Sequence, residues 1–258
     1  MAETTKPKLK LKAGRPKSLL PARTHYCPGC GHGVAQRLLA EVIDEMLLRE
    51  TTIGVAPVGC AVVAYNYLDI DMSEAAHGRA PEVAVGLKRV RPDRLVFTYQ
   101  GDGDLAAIGT NEILHVANRG ENISVVFINN TCYGMTGGQM APTTLVGQRT
   151  STTPKGRSLL TEGPPIRVCE LLATLERAVY LERCMITSPK EIRRAKNAMK
   201  HLFRVQMEKK GFGLVEILSP CPTYWRLAPV DCPKFIEQHL TKVFPPGVIK
   251  NSAFPEAV

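Results

Sequence analysis

The segment RLVFTYQGDGDLAAIGTNEILHVANRGENISVVFINN, Arg94–Asn130, holds two unbroken apolar runs separated by a helical pattern. The runs RLVFTYQ and NISVVFINN, bounded by turn residues, have the character of parallel strands covered on both faces. Between them, Leu105–Gly120 reads as a helix that Gly120 ends. Together they make a βαβ unit whose first turn is GDGD, Gly101–Asp104. Turns in this position often hold phosphates through backbone amides and a helix N-terminus. Here two carboxylates occupy the turn, and they would repel an anion. A divalent cation removes the conflict, because Mg²⁺ takes oxygen ligands and bridges protein carboxylates to substrate phosphates. Its second protein ligand should come from the end of the adjacent parallel strand. That end carries Asn129–Asn130.

GDG followed after 25 residues by NN matches the metal-diphosphate signature of thiamine diphosphate enzymes. Carried over by position, the Mg²⁺ ligands are Asp102, Asn130 and the backbone carbonyl of Cys132. Gly101, Gly103, Asp104, Tyr133, Gly134, Met135 and Thr136 are the further cofactor-binding candidates. The plain alternative is an acidic turn and a polar strand end with no ligand.

The alternation of elements continues on both sides. Gly31–Leu47 has apolar residues at helical spacing, with Leu38, Leu39, Val42, Ile43 and Met46 on one side. Thr51–Gly59 reads as a strand and turn. Residues 137–167, rich in Gly, Pro and Thr, lack periodicity, and a loop of that length is usually functional or packed on a partner. A helix over Val168–Leu175, a strand over Ala178–Thr187, a helix over Pro189–Lys210 capped by Ser188, and a strand over Phe212–Pro220 follow. The expected fold is α/β, a mostly parallel sheet with helices on both faces, as in thiamine diphosphate-binding domains. The expected organisation is a basic flexible tail at 1–20, the α/β domain at 21–232, and an extended C-terminal arm at 233–258.

The net charge of +9 is concentrated in the tail: residues 1–20 carry six cations against Glu3, which leaves +4 for the other 238 residues. A solvated arm, or one that docks on an acidic subunit, accounts for this without nucleic acid. No run approaches the roughly 18–20 apolar residues of a membrane span, and no secretory leader is recognisable at the N-terminus. The sequence therefore points to the cytoplasm. Eight cysteines in a reducing compartment are core residues or metal ligands rather than a disulfide framework. Cys27 and Cys30 form a Cys-x-x-Cys pair suited to a metal or cluster corner, with half a zinc site or a redox dithiol as the alternatives. Cys60 and Cys221 stand at strand ends, whereas Cys132, Cys169, Cys184 and Cys232 lie in or beside apolar stretches, as core thiols do.

The motifs CPGCGHG, GVAPVGC, EAAHGRAPEVAVGLKRV, FTYQGDGDLAAIGTNE, INNTCYGMTGGQMAPTT and EILSPCPT together resemble the β subunit of 2-oxoacid:ferredoxin oxidoreductases over residues 24–230. The resemblance implies thiamine diphosphate, Mg²⁺ and a [4Fe–4S] cluster on Cys27, Cys30, Cys60 and Cys221. It also implies CoA-dependent oxidative decarboxylation of a 2-oxoacid to acyl-CoA and CO₂, with electrons passed through the cluster to ferredoxin. The implied partners are a pyrimidine-binding α subunit, which would bring the activating glutamate, a small γ subunit and a ferredoxin-like δ subunit. His77 and Arg79, in AAHGRAP, are candidates for contacts to diphosphate or substrate carboxylate, and a capped helix start is the other reading of that stretch. His25 and His32 flank the cluster cysteines. The run AVVAYNY after Cys60 has no cation for a second carboxylate, and Met135 is apolar. Both features favour a branched substrate such as 2-oxoisovalerate over 2-oxoglutarate. A non-redox thiamine diphosphate decarboxylase or synthase, or a zinc- and nucleic-acid-binding protein, are the readings from other classes.

Overall fold

The computed structural model describes residues 14–254. Its centre is a seven-stranded sheet with strand order β2-β1-β3-β4-β8-β7-β9. Six strands run parallel: β1 (Thr52–Ala56), β2 (Asp71–Glu74), β3 (Leu95–Gly101), β4 (Ser124–Asn129), β7 (Ala178–Met185) and β8 (Phe212–Leu218). β9 (Gly247–Asn251) closes the edge antiparallel to β7. β5 (Cys132–Tyr133) and β6 (Gln139–Met140) form a separate small hairpin.

Both faces are covered, which is why β3, β4 and β8 read as unbroken apolar runs. On one face α1 (Gly31–Glu45) and α5 (Pro189–Met207) pack Leu39, Ile43, Met199, Leu202 and Phe203 against Phe97, Val126 and Val215. On the other, α2 (Ala80–Val90), α3 (Thr110–Arg119) and α4 (Val168–Ala173) pack Ala84, Ile113, Val116 and Leu172 against Val96, Val125 and Leu214. Each such fully buried Leu, Ile or Phe contributes roughly 1.5–3 kcal/mol. Ser188 caps α5, its side chain accepting from Glu191 N as the sequence led us to expect.

Two regions depart from the sequence reading. The helix after GDGD does not start cleanly: Asp104–Ile108 is a π turn, Gly109 interrupts, and α3 follows. The C-terminal segment is not an extended arm through its described part. α6 (Pro222–Trp225) is followed by α7 (Cys232–Phe235), which runs through a π turn, Ile236–Leu240, into α8 (Thr241–Val243) before β9. Ile236, Leu240 and Phe244 bury themselves against Leu145 and Leu218 at helical spacing, a pattern that the flanking prolines obscured. Of the basic tail, residues 1–13 lie outside the described residues. From Gly14 onward the chain is docked: the Ser18 hydroxyl donates to Asp44 Oδ1 at 2.6 Å, and Leu19 bridges to Leu68.

Candidate functional site

The chain runs β1 to β2 on one side of β1 and returns to β3 on the other. In open α/β sheets the crevice beyond the strand ends at such a reversal is where ligands sit. Off those ends stand Cys60 after β1, Asp102 after β3, Asn130 after β4 and Cys221 after β8. Their neighbours line one cleft that includes His32, His77, Gly101, Asp102, Gly103, Asp104, Asn130, Cys132, Tyr133, Gly134, Met135 and Thr136.

The two aspartates of the turn do different things. Asp102 is buried, its Oδ2 accepting from the Thr143 hydroxyl at 2.6 Å and its Oδ1 from Gly103 N at 2.9 Å. Burial outweighs those hydrogen bonds and pushes its carboxyl up to about 6. Asp104 is saturated by protein donors: Gly78 N at 2.8 Å and His77 Nδ1 at 2.7 Å on Oδ1, and Gln100 Nε2 at 2.7 Å on Oδ2. It therefore ties the 77–78 loop to the acidic turn. Asn130 is buried, and its Oδ1 accepts from Cys132 N at 3.3 Å. Gly103 has no room for a side chain, since a Cβ there would lie 2.3 Å from the Tyr133 ring.

The hairpin β5-β6 carries Gly134 and Met135 from this cleft onto a second cavity of about 210 Å³. That cavity is lined by Cys27, Cys30, Cys60 and Cys221, with His25, Tyr26 and Tyr224. Cys27 and Cys30 reach it because Gly31 N, at the start of α1, donates to Pro220 O beside Cys221. Burial pushes the Cys30 and Cys60 thiols up to about 12. Gly134 runs close over two of the sulfurs: a Cβ there would lie 3.1 Å from Cys60 Sγ and 3.7 Å from Cys221 Sγ. Cys132 lies against the same group, its Sγ 3.9 Å from Asn130 Oδ1, and its proximity to Cys221 raises the Cys132 thiol and lowers that of Cys221. Among the described residues no three His, Cys, Asp or Glu side chains stand at the spacing of a single ion. The four sulfurs surround a space instead of meeting at a point.

His77 faces the cleft, with one ring nitrogen fixed by Asp104. Arg79 does not reach it: as the residue before α2 it is ion-paired with Glu112 of α3. His32 is fully buried, its Nδ1 2.9 Å from Tyr99 Oη, and burial lowers it to about 3, so it is neutral. His25 lines the cysteine cavity with its Nδ1 2.8 Å from Tyr67 Oη. Several contributors escaped sequence reasoning. Thr143 and Thr144 come from the aperiodic loop, Thr144 Oγ1 donating to Thr131 O at 2.6 Å, and Trp225 Nε1 donates to Asn130 O at 2.9 Å.

The sequence profile of the thiamine pyrophosphate enzyme C-terminal TPP-binding domain matches residues 57–217. Ketoisovalerate oxidoreductase subunit VorA of Methanothermobacter thermautotrophicus is 50% identical over 231 residues, 90% of this chain and 48% of that protein. 2-Oxoglutarate synthase subunit KorB of Methanocaldococcus jannaschii is 35% identical over 226 residues, 84% of this chain and 79% of that protein. The solved structure of 2-oxoglutarate:ferredoxin oxidoreductase from Magnetococcus marinus, with 2-oxoglutarate, coenzyme A and succinyl-CoA bound, superposes with a TM-score of 0.73 at 29% identity. That match covers 83% of this chain and 70% of that one. The chain belongs to the thiamine pyrophosphate enzymes, within the 2-oxoacid:ferredoxin oxidoreductase subunits. It spans about half the length, 48%, of the ketoisovalerate oxidoreductase subunit it matches.

Proposed function

We propose that the chain is the thiamine diphosphate- and cluster-binding β subunit of an oxidoreductase that converts a branched 2-oxoacid, of the 2-oxoisovalerate type, to acyl-CoA and CO₂. The observation that carries this reading is the shared wall: Cys60, Asn130, Gly134 and Met135 line both the acidic cleft and the four-cysteine cavity. A non-redox thiamine enzyme has no use for four sulfurs placed there.

The residues fit the groups they would hold. Asp102 is a buried carboxylate whose ionisation is suppressed by desolvation, a condition that a cation relieves. With Asn130 Oδ1 and the carbonyl of Cys132 it would hold Mg²⁺ on the diphosphate. Four sulfurs around a cavity suit a [4Fe–4S] cluster on Cys27, Cys30, Cys60 and Cys221 rather than a lone zinc. Thiamine diphosphate, when bound, supplies the carbanion chemistry of decarboxylation. The chain's own part would be to anchor the diphosphate, to keep His32 neutral beside the cleft, to present the free edge of His77 to the substrate, and to set the cleft and the four-cysteine cavity on either side of one hairpin.

The cleft lining contains no glutamate among the described residues, which supports an activating glutamate from the pyrimidine-binding α subunit. The γ and δ subunits, ferredoxin and coenzyme A complete the assembly on this reading. Met135, half exposed between the cavities, gives an apolar contact for a branched substrate side chain, and the 50% identity to a ketoisovalerate oxidoreductase subunit favours the same choice. Enzyme purified anaerobically with its partners should contain about four iron and four acid-labile sulfide per copy of this chain, in addition to those of the ferredoxin-like δ subunit. Thiamine diphosphate without iron or sulfide would turn the reading to a non-redox decarboxylase.

A further inference from the structure

Behind the Asn129–Asn130 turn lies a buried charged group that the cofactor signature does not include. Glu216, on β8, is fully buried. Its Oε1 accepts from Asn129 Nδ2 at 2.7 Å, and its Oε2 accepts from Arg183 Nε at 2.7 Å. Arg183, also fully buried, extends the chain to Glu170 at 2.6 Å and to Pro245 O at 3.2 Å. Desolvating such a set costs more than packing apolar side chains in its place, so it is weak evidence of a stability role.

What the set does locally is specific. Asn129, tied to Glu216, turns its Oδ1 to accept from Thr131 N at 3.3 Å. Thr131 sits at φ +62°, a left-handed conformation that a β-branched residue adopts only when its surroundings impose it. Asn130 and Cys132 flank that residue directly. Asn129 is thus held from beneath by Glu216, while Thr144, Gln148 and Trp225 hold Asn130 and Thr131 from above.

We infer that Glu216, oriented by Arg183, is a positioning residue: through Asn129 it fixes the strained turn that aims Asn130 Oδ1 and the Cys132 carbonyl at the metal. This rests on the thiamine diphosphate reading of the cleft. Partners behind metal ligands typically change metal affinity by about 10–100-fold when removed, and that is the effect expected here.

The test uses the enzyme purified with its partner subunits and stripped of Mg²⁺ and cofactor. Equilibrium dialysis then gives the Mg²⁺ concentration at which half the thiamine diphosphate is retained. Glu216→Leu removes the acceptor, Asn129→Leu cuts the same link from the other side, and Glu216→Gln keeps an oxygen facing Asn129. The two leucine variants should raise the half-point by about 10–100-fold, with Glu216→Gln staying near the parent. If Glu216→Leu does not fold, Asn129→Leu carries the test. A folded leucine variant with lower melting temperature but an unchanged half-point would reduce Glu216 to a structural role and overturn the inference. So would a Glu216→Gln variant as impaired as the leucines. Asp102→Ala is the reference: if it too leaves retention unchanged, it is the reading of the cleft that has failed.

Discussion

Asp102 and Asp104 stand on the same turn, yet Asp104 Oδ1 lies 2.7 Å from His77 Nδ1 while Asp102 Oδ2 lies 2.6 Å from the Thr143 hydroxyl. One carboxylate is consumed by protein donors and the other remains desolvated in the cleft. Opposite responses to substitution follow. Asp104→Ala leaves Gly78 N and Gln100 Nε2 without their acceptor in buried surroundings, which costs about 1–3 kcal/mol per orphaned group. Chemical denaturation should show that loss. Asp102→Asn keeps the shape and removes the unfavourable charge, so the cofactor-free protein at neutral pH should be no less stable than the parent, while thiamine diphosphate retention falls.

The raised carboxyl of Asp102 sets a pH dependence. Its folded value of about 6 lies above its unfolded value of 3.8, so the folded state binds the extra proton between them. Cofactor-free stability should therefore fall as pH rises from 3.8 to about 6 and level off above that. Metal binding needs the ionised carboxylate, so affinity for Mg²⁺ with thiamine diphosphate should have the opposite slope. It should weaken by about tenfold per pH unit below pH 6. Calorimetric titration in two buffers at pH 5.5 should register proton release on binding, and none at pH 8.

Gly134 brings the hairpin backbone close to two of the cysteines. In Gly134→Val the branched side chain would meet Cys60 Sγ and Cys221 Sγ, since even a Cβ stands 3.1 Å from the first. The variant should lose iron and sulfide while keeping its circular dichroism, and spectrophotometry near 400 nm together with iron analysis checks it.

In iron-free protein, the cysteines should differ in reactivity. Cys27 is exposed, whereas Cys30 and Cys60 are held as thiols by burial at about 12. Alkylation needs access as well as thiolate, and Cys221, though lowered, is buried, so limited alkylation of iron-free protein at pH 8 should label the exposed Cys27 first. Mass mapping that found Cys60 labelled ahead of Cys27 would contradict the cavity geometry.

The sheet and the cofactor turn were legible because each is local. Burial on both faces leaves unbroken apolar runs at β3, β4 and β8, and Asp102 and Asn130 are fixed by strand ends a constant distance apart in sequence. The four cysteines were legible as a set only through their motifs, since they come from four separate segments. What stayed hidden depends on contacts distant in sequence. Thr143 and Trp225 reach the turn from an aperiodic loop and a four-residue helix, and neither has a pattern to betray it. Glu216 and Arg183 sit inside strands whose apolar neighbours masked them. Arg79 looked like a cleft residue by proximity to His77, but the left-handed Gly78 between them turns it toward Glu112 instead.

The most direct test of the central claim is anaerobic reduction of ferredoxin by the enzyme purified with its partner subunits, supplied with coenzyme A and a panel of 2-oxoacids. The account predicts reduction that requires thiamine diphosphate, runs fastest with 2-oxoisovalerate, and disappears in Asp102→Ala. Ferredoxin left oxidised by every 2-oxoacid, or full activity and cofactor affinity in Asp102→Ala, would contradict it.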